Sequence, residues 1–177
     1  ADVLRAYQDA VRLVRDEPAA TPKRIFEALR AIYLPDDDFI QALSTLSMST
    51  RGKRKKLVKY LLAGIETKLA GRAVDWETDP STIEHILPEN PVGSWLEAFS
   101  EEDRERFTMR LGNLTLLESA INRAIGSADI AVKVEAYARS KYACASSIEA
   151  TSWSPEAVNE RQRTLARLAC AHFRLDF

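Results

Sequence analysis

Ile83-Glu84-His85-Ile86-Leu87-Pro88, followed downstream by Leu111-Gly112-Asn113-Leu114-Thr115-Leu116-Leu117, is the stretch whose reading decides the fold. The first segment is short, β-branched and alternating from Thr82 to Ile86, and it runs into a turn at Leu87-Pro88. The second follows a Gly-Asn turn. Together they predict two short strands, 82–86 and 114–117, in a chain that otherwise reads as helix.

Working outward, the first 70 residues carry helical spacing. Val3, Tyr7, Val11 and Val14 form one stripe. Thr21-Pro22 reads as an N-cap with proline at the first helical position, followed by Ile25, Phe26, Leu29, Ile32 and Tyr33. Asp36, Asp37 and Asp38 suit the positive end of a helix carrying Phe39, Ile40, Leu43 and Leu46. Leu57, Val58, Leu61, Leu62, Ile65 and Leu69 mark a fourth helix with Gly71 as its C-cap. All these stripes are expected to be packing surfaces. Between the strands, 94–110 reads as one or two helices, with a good start at Ser100-Glu101-Glu102-Asp103. Helix resumes near Ser119, again over 129–140, and finally from Ser154-Pro155 through Phe173. The softest boundary lies between Gly71 and Pro80.

The 177 residues suffice for one large domain or two small ones, and 46% hydrophobic content allows a real core. A net charge of -1, from 25 basic and 26 acidic residues, excludes a uniformly basic nucleic-acid binder but not a local basic face. Two cysteines, Cys144 and Cys170, form no CxxC pair, which argues against structural zinc and suits a reducing cytoplasm. No signal peptide or membrane-spanning run is present. Without an initiator methionine, the chain reads as a piece of a longer protein.

The polar residues around the two strands suggest phosphodiester chemistry, which needs an activated water and charge stabilisation at the phosphate. A neutral imidazole at His85 can take a proton from water. Glu84 points to the opposite strand face, unless a strand end or bulge brings it round to hold a cation. Asn122 is either a neutral oxygen ligand for a hard cation or a helix cap. The Asn113 amide either bridges the hairpin or fixes the His85 ring. Lys133 is either a point charge for a phosphate or an ordinary solvated lysine. The other histidine, His172, has no such company. Arg51, Lys53, Arg54, Lys55, Lys56 and Lys59 form a run without an acid. It suits either phosphate backbone or a solvated helix start, although cations at a helix N-terminus oppose its dipole.

The order of these residues resembles the His-Me finger (HNH-type, ββα-metal) nuclease motif. More closely, it is similar to the C-terminal nuclease domain of GmrSD-type modification-dependent restriction endonucleases, which include phosphorothioate-sensing defence proteins of the same plan. The matching residues are Ile83 to Pro88, Leu111 to Leu117, Asn122 and Lys133, then Ser140, Trp153 and Arg161, with Trp95 at a further tryptophan position. The resemblance covers Thr82 to the C-terminus. It departs at Glu89, where the family usually has glutamine, a difference that need not touch chemistry, and at Gly126 to Ile130, before Lys133.

The resemblance implies an α+β fold, mainly α, with a helical bundle over 1–72 and a nuclease region over 73–177 that holds a small ββα-metal element. The two regions can form one domain. It implies His85 as general base, supported by Asn113, with Glu84 and Asn122 as ligands of Mg2+ or Mn2+. Double-stranded DNA is the implied substrate, and an N-terminal ParB-like nucleotide-binding domain of the full-length protein is the implied partner. The expected function is a metal-dependent DNA endonuclease of an anti-phage restriction system. The alternative is a non-catalytic helical DNA-binding or interdomain module.

Overall fold

The computed structural model describes residues 2–175, which divide into two compact units. One runs to Asp38 and includes Leu175; the other is Phe39–Arg174.

The first unit holds α1 (Val3–Asp16), α2 (Pro22–Leu29) and a 3-10 turn at Arg30–Ile32. Asp2 caps α1 by accepting the Arg5 N–H at 3.2 Å, and Thr21 caps α2 with Pro22 inside the first turn. The α1 helix forms as its spacing predicts, but its apolar stripe does not become core. Ala6 and Ala10 are the buried side, whereas Val3, Tyr7, Val11 and Val14 are 49–65% exposed.

The second unit is built around a hairpin. Its leading helices are α3 (Asp36–Ser44, which starts just before the unit boundary) and α4 (Gly52–Ala70). Gly71 ends α4 in the left-handed region, at φ 66°, with its N–H on the Thr67 carbonyl. Strand β1 (Thr82–His85) pairs antiparallel with β2 (Leu114–Leu117). Between them lie α5 (Trp95–Ala98), α6 (Glu101–Phe107, capped by Ser100 on the Asp103 N–H at 3.1 Å) and a 3-10 turn at Leu111–Asn113. After β2 come α7 (Ser119–Ile125), α8 (Ile130–Tyr137), α9 (Ala143–Ser146) and α10 (Pro155–Phe173). The fold is α+β and mainly α, with a two-stranded sheet as its only sheet among the described residues.

The register pairs Thr82 with Leu117, Ile83 with Leu116, Glu84 with Thr115 and His85 with Leu114. Directly paired residues share a face, so the two faces separate cleanly. Leu114 and Leu116 join a core with α4, α9 and α10 (Leu62, Ile65, Cys144, Ala166, Ala169). Leu117 joins a second core with Leu87, Trp95, Phe99, Phe107, Tyr137 and Trp153. A sheet covered on both sides needs no polar face, which is why all of β2 is buried.

The final helix locks the turn that precedes β2. Gln162 is fully buried: its Oε1 accepts from Arg110 Nε at 2.9 Å and Gly112 N at 3.2 Å, while its Nε2 donates to the Leu43 and Leu46 carbonyls. Arg161 donates to the carbonyls of Gly112 and Leu114, both at 2.8 Å. This approach demands glycine at 112, because a Cβ there would run into the Val158 carbonyl oxygen and lie 2.8 Å from Gln162 Cβ. The α4 helix, expected in the leading bundle, packs with α10 and the hairpin. No helix among the described residues is long and apolar enough to cross a membrane.

Candidate active site

His85 stands at the end of β1 on the face that carries Leu114. Its side chain is 13% exposed. Nε2 lies 3.3 Å from Thr50 Oγ1 and 3.6 Å from Glu89 Oε1. Burial pushes the imidazole pKa below its ordinary value; Glu89 works against that, and Lys133 and Arg51 add to it. The ring is therefore neutral near pH 7, the form that can accept a proton.

The backbone at this strand end is tightly held. Lys133 Nζ donates to the His85 carbonyl at 2.8 Å, and the Ile86 N–H donates to the Asn113 carbonyl at 2.9 Å. The Asn113 side chain then grips Leu87 from both sides, accepting its N–H at 2.7 Å and donating to its carbonyl at 2.9 Å. Asn113 also donates to the Thr108 carbonyl and accepts from Trp153 Nε1 at 3.1 Å. Of the two roles open to Asn113, bridging the hairpin is the one seen. Its amide is spent on backbone and Trp153, so Asn113 supports His85 by clamping the segment that carries it and not by a hydrogen bond to the ring.

Glu84 and Lys133 pair with each other. Alternation sends Glu84 to the face opposite His85, where Glu84 Oε1 accepts from Lys133 Nζ at 2.6 Å and from Tyr137 Oη at 2.9 Å. The Glu84 side chain is 6% exposed and that of Lys133 is 0%. A lysine so enclosed does not reach a DNA phosphate; it is the internal counter-ion of Glu84. Burial raises the Glu84 pKa against the pull of Lys133, and burial lowers that of Lys133 against the pull of Glu84.

Asn122, on α7, donates from Nδ2 to Thr82 Oγ1 at 2.9 Å and to the Ile83 carbonyl at 3.3 Å. It docks the helix on β1. A divalent cation held jointly by Glu84 and Asn122 beside His85 does not fit this arrangement. The carboxylate already carries an ammonium, and the histidine lies across the sheet. Among the described residues no cluster of three His, Cys, Asp or Glu side chains could hold a metal.

The basic run occupies the first turns of α4, directly after Thr50. Arg51, Lys53, Arg54, Lys55 and Lys56 are exposed. Arg51 pairs with Glu89 through Nη2, which brings the start of the run to the histidine. Lys59 is half-buried, with Nζ on the Asp79 carbonyl at 2.5 Å, so it is less available than the rest. Lys55, Lys56 and Lys59 line a shallow cavity of about 260 Å³ with Trp76 and Glu77.

Thr50 and Glu89, which flank the His85 ring, are not among the candidate site residues that the sequence offers. Glu89, noted in the sequence only as a departure from the family's glutamine, is beside the ring; its place four residues after His85 is the available signal. Thr50 gave none, because only tertiary packing brings it to β1. The remaining matched residues are structural: Ser140 bonds Glu118, Trp95 donates to the Ala128 carbonyl, and Trp153 and Arg161 hold the hairpin turn.

This geometry puts a neutral, partly exposed histidine at a strand end, helix α7 docked on the hairpin and an exposed basic helix start beside it. Compared with known families, residues 33–168 match the family described as GmrSD restriction endonucleases, C-terminal domain. The chain belongs to this family. The matched region takes in α4 and its basic run as well as the hairpin, so the GmrSD C-terminal domain is larger than the segment carrying the distinctive motifs. As a GmrSD C-terminal domain, the chain is of the nuclease type, a DNA-hydrolysing component of restriction endonucleases. No curated protein matches the chain.

Proposed function

We propose that this chain is the DNA-cleaving domain of an anti-phage restriction endonuclease, of the His-Me finger (HNH) type, in which His85 is the general base. The observation that carries the reading is His85 itself. It is neutral, reaches solvent at one edge, and is set on a clamped strand end beside an exposed basic run. In the proposed step His85 takes a proton from water as the water oxygen bonds to phosphorus. The phosphorus bond to the leaving oxygen breaks, and that oxygen takes a proton from solvent. Arg51, Lys53, Arg54, Lys55 and Lys56 neutralise neighbouring phosphates and set the strand in register without reading sequence. Lys59 contributes less because its ammonium is already bonded. The cation expected from sequence, Mg2+ or Mn2+, has no donor set among these side chains as arranged, so no step is assigned to it.

Recognition of a DNA modification belongs, in this proposal, to a ParB-like nucleotide-binding domain of the full-length protein. The test is nicking of supercoiled plasmid DNA by wild type and His85→Ala, with Mg2+ or Mn2+ and with EDTA. Loss of about a hundredfold or more in the variant is the scale of a removed general base. Equal nicking by both proteins removes His85 from the chemistry. Salt-sensitive DNA retention with no nicking by either protein favours the alternative, a non-catalytic DNA-binding module.

A further inference from the structure

The hydrogen-bond directions around His85 are fixed by one group that cannot donate. Glu89 is paired with the Arg51 guanidinium, and a carboxylate only accepts. Thr50 Oγ1 lies 3.5 Å from Glu89 Oε1 and 3.3 Å from His85 Nε2. Its one proton has three neighbours: the carboxylate, the imidazole nitrogen and the Met109 sulfur at 3.9 Å. The carboxylate is the strongest acceptor of the three. With that proton on Glu89, the oxygen faces Nε2 with a lone pair, and only a protonated Nε2 makes that contact favourable. Glu89 Oε1, 3.6 Å from the same nitrogen, enforces the same choice, because a bare Nε2 would set a lone pair against an anion. Nδ1 has no hydrogen bond from the protein among those described.

We propose that Thr50 and Glu89 are positioning residues that hold neutral His85 with its proton on Nε2, leaving Nδ1 as the nitrogen that accepts the proton from water. The inference rests on the reading of His85 as the general base. It adds two residues to the machinery, one from the segment leading into α4 and one from the turn after β1. Both contacts are long for hydrogen bonds, of the kind that tighten when substrate closes on a site. Arg51 ties the far oxygen of Glu89 to the basic run, so the chain Nε2–H to Thr50 to Glu89 ends on a side chain that is 77% exposed and belongs to the proposed DNA-binding surface.

The protein has two histidines, and His172 lies far along the sequence at the end of α10, so two imidazole signals suffice for assignment. The test is a two-bond 1H–15N correlation of the imidazoles in the full chain at about pH 8, above the ordinary histidine pKa of about 6.5. The expected wild-type spectrum shows His85 as the Nε2–H tautomer. Thr50→Val and Glu89→Leu are expected to shift it toward a mixture, with His172 unmoved. Glu89→Gln, whose amide oxygen still accepts from Thr50 but whose NH2 can also donate, is expected to shift it by less than Glu89→Leu. In plasmid nicking, Thr50→Val and Glu89→Leu should lower kcat by about tenfold to a hundredfold with KM unchanged, the scale for losing a group that orients a histidine. Glu89→Gln should retain most of it. A wild-type His85 protonated on Nδ1, or tautomers identical across all four proteins, overturns the proposal. The tautomer is read whether or not the chain cuts DNA. Failure of the positioning chain is thus separate from failure of His85 as base, which the His85→Ala comparison reads.

Discussion

Lys133→Met is expected to be among the most damaging substitutions in the chain although it touches no solvent. The Lys133 side chain is fully enclosed and its ammonium lies 2.6 Å from Glu84, itself only 6% exposed, so solvent screening offers no discount. At an effective dielectric near 20, two unit charges at that distance attract by about 6 kcal/mol before desolvation is counted. Removing one partner leaves the other buried and uncompensated, which costs about 3–5 kcal/mol. The loss also frees the His85 carbonyl. The assay is urea unfolding at matched slope, comparing wild type, Lys133→Met and Lys133→Met with Glu84→Gln. Glutamine keeps an acceptor for Tyr137 without the charge, so the double variant should recover at least about 2 kcal/mol of the single variant's loss. The pH dependence has a definite sign. Without the ammonium, the folded-state pKa of Glu84 rises further above its unfolded value of about 4.3. A raised pKa favours the folded state below the unfolded pKa, and that advantage is lost as pH rises through the folded pKa. The single variant's deficit should be largest near neutrality and narrow as pH falls toward about 4. A loss below about 1 kcal/mol at pH 7, or a double variant no better than the single, would refute the buried-pair reasoning.

Three further outcomes follow from the same geometry. Gly112→Ala should destabilise by on the order of 3 kcal/mol in thermal or chemical unfolding, because the added Cβ meets the Val158 carbonyl and the Gln162 side chain; wild-type stability would show that α10 is not seated as described. DNA binding, measured by fluorescence anisotropy across a salt series, should show a log–log slope of up to about -4.5 if all five exposed cations from Arg51 to Lys56 meet phosphates, at about 0.9 per contact. Lys53→Glu with Lys56→Glu should flatten that slope with unfolding unchanged, and an unaltered slope would place the DNA elsewhere. Because burial depresses the His85 pKa, the neutral base persists below the ordinary imidazole range. The acid limb of kcat/KM should therefore fall at a pH lower than about 6.5, and a limb above that value contradicts the buried setting.

Much of the fold was legible in the residues because its signals are local. Thr21-Pro22, Ser100, Ser154-Pro155 and Gly71 mark helix ends through hydrogen bonds and dihedral angles within a few residues of themselves. The two strands were legible because β-branched and leucine-rich segments met turn residues at both ends. The family was legible because its motifs are short and ordered. The α1 stripe shows the limit: spacing gave the helix, but burial depends on what lies opposite, and Val3, Tyr7, Val11 and Val14 stay exposed.

The site divides along the same line. Sequence by itself determined that His85 sits at a strand end, that Asn113 belongs to a turn and that a basic run precedes an apolar helix, since each follows from neighbours along the chain. Only the tertiary structure decided what those side chains touch. Strand alternation turned Glu84 away from His85, and the second core closed over it, so Lys133 became its counter-ion instead of a DNA contact. Packing of α4 against the hairpin and α10 brought Thr50 and Arg51 to His85 and Glu89 across more than thirty positions of sequence. Charges and hydroxyls carry no periodic mark of their partners. Their roles are set by the low-dielectric spaces that the apolar residues enclose around them.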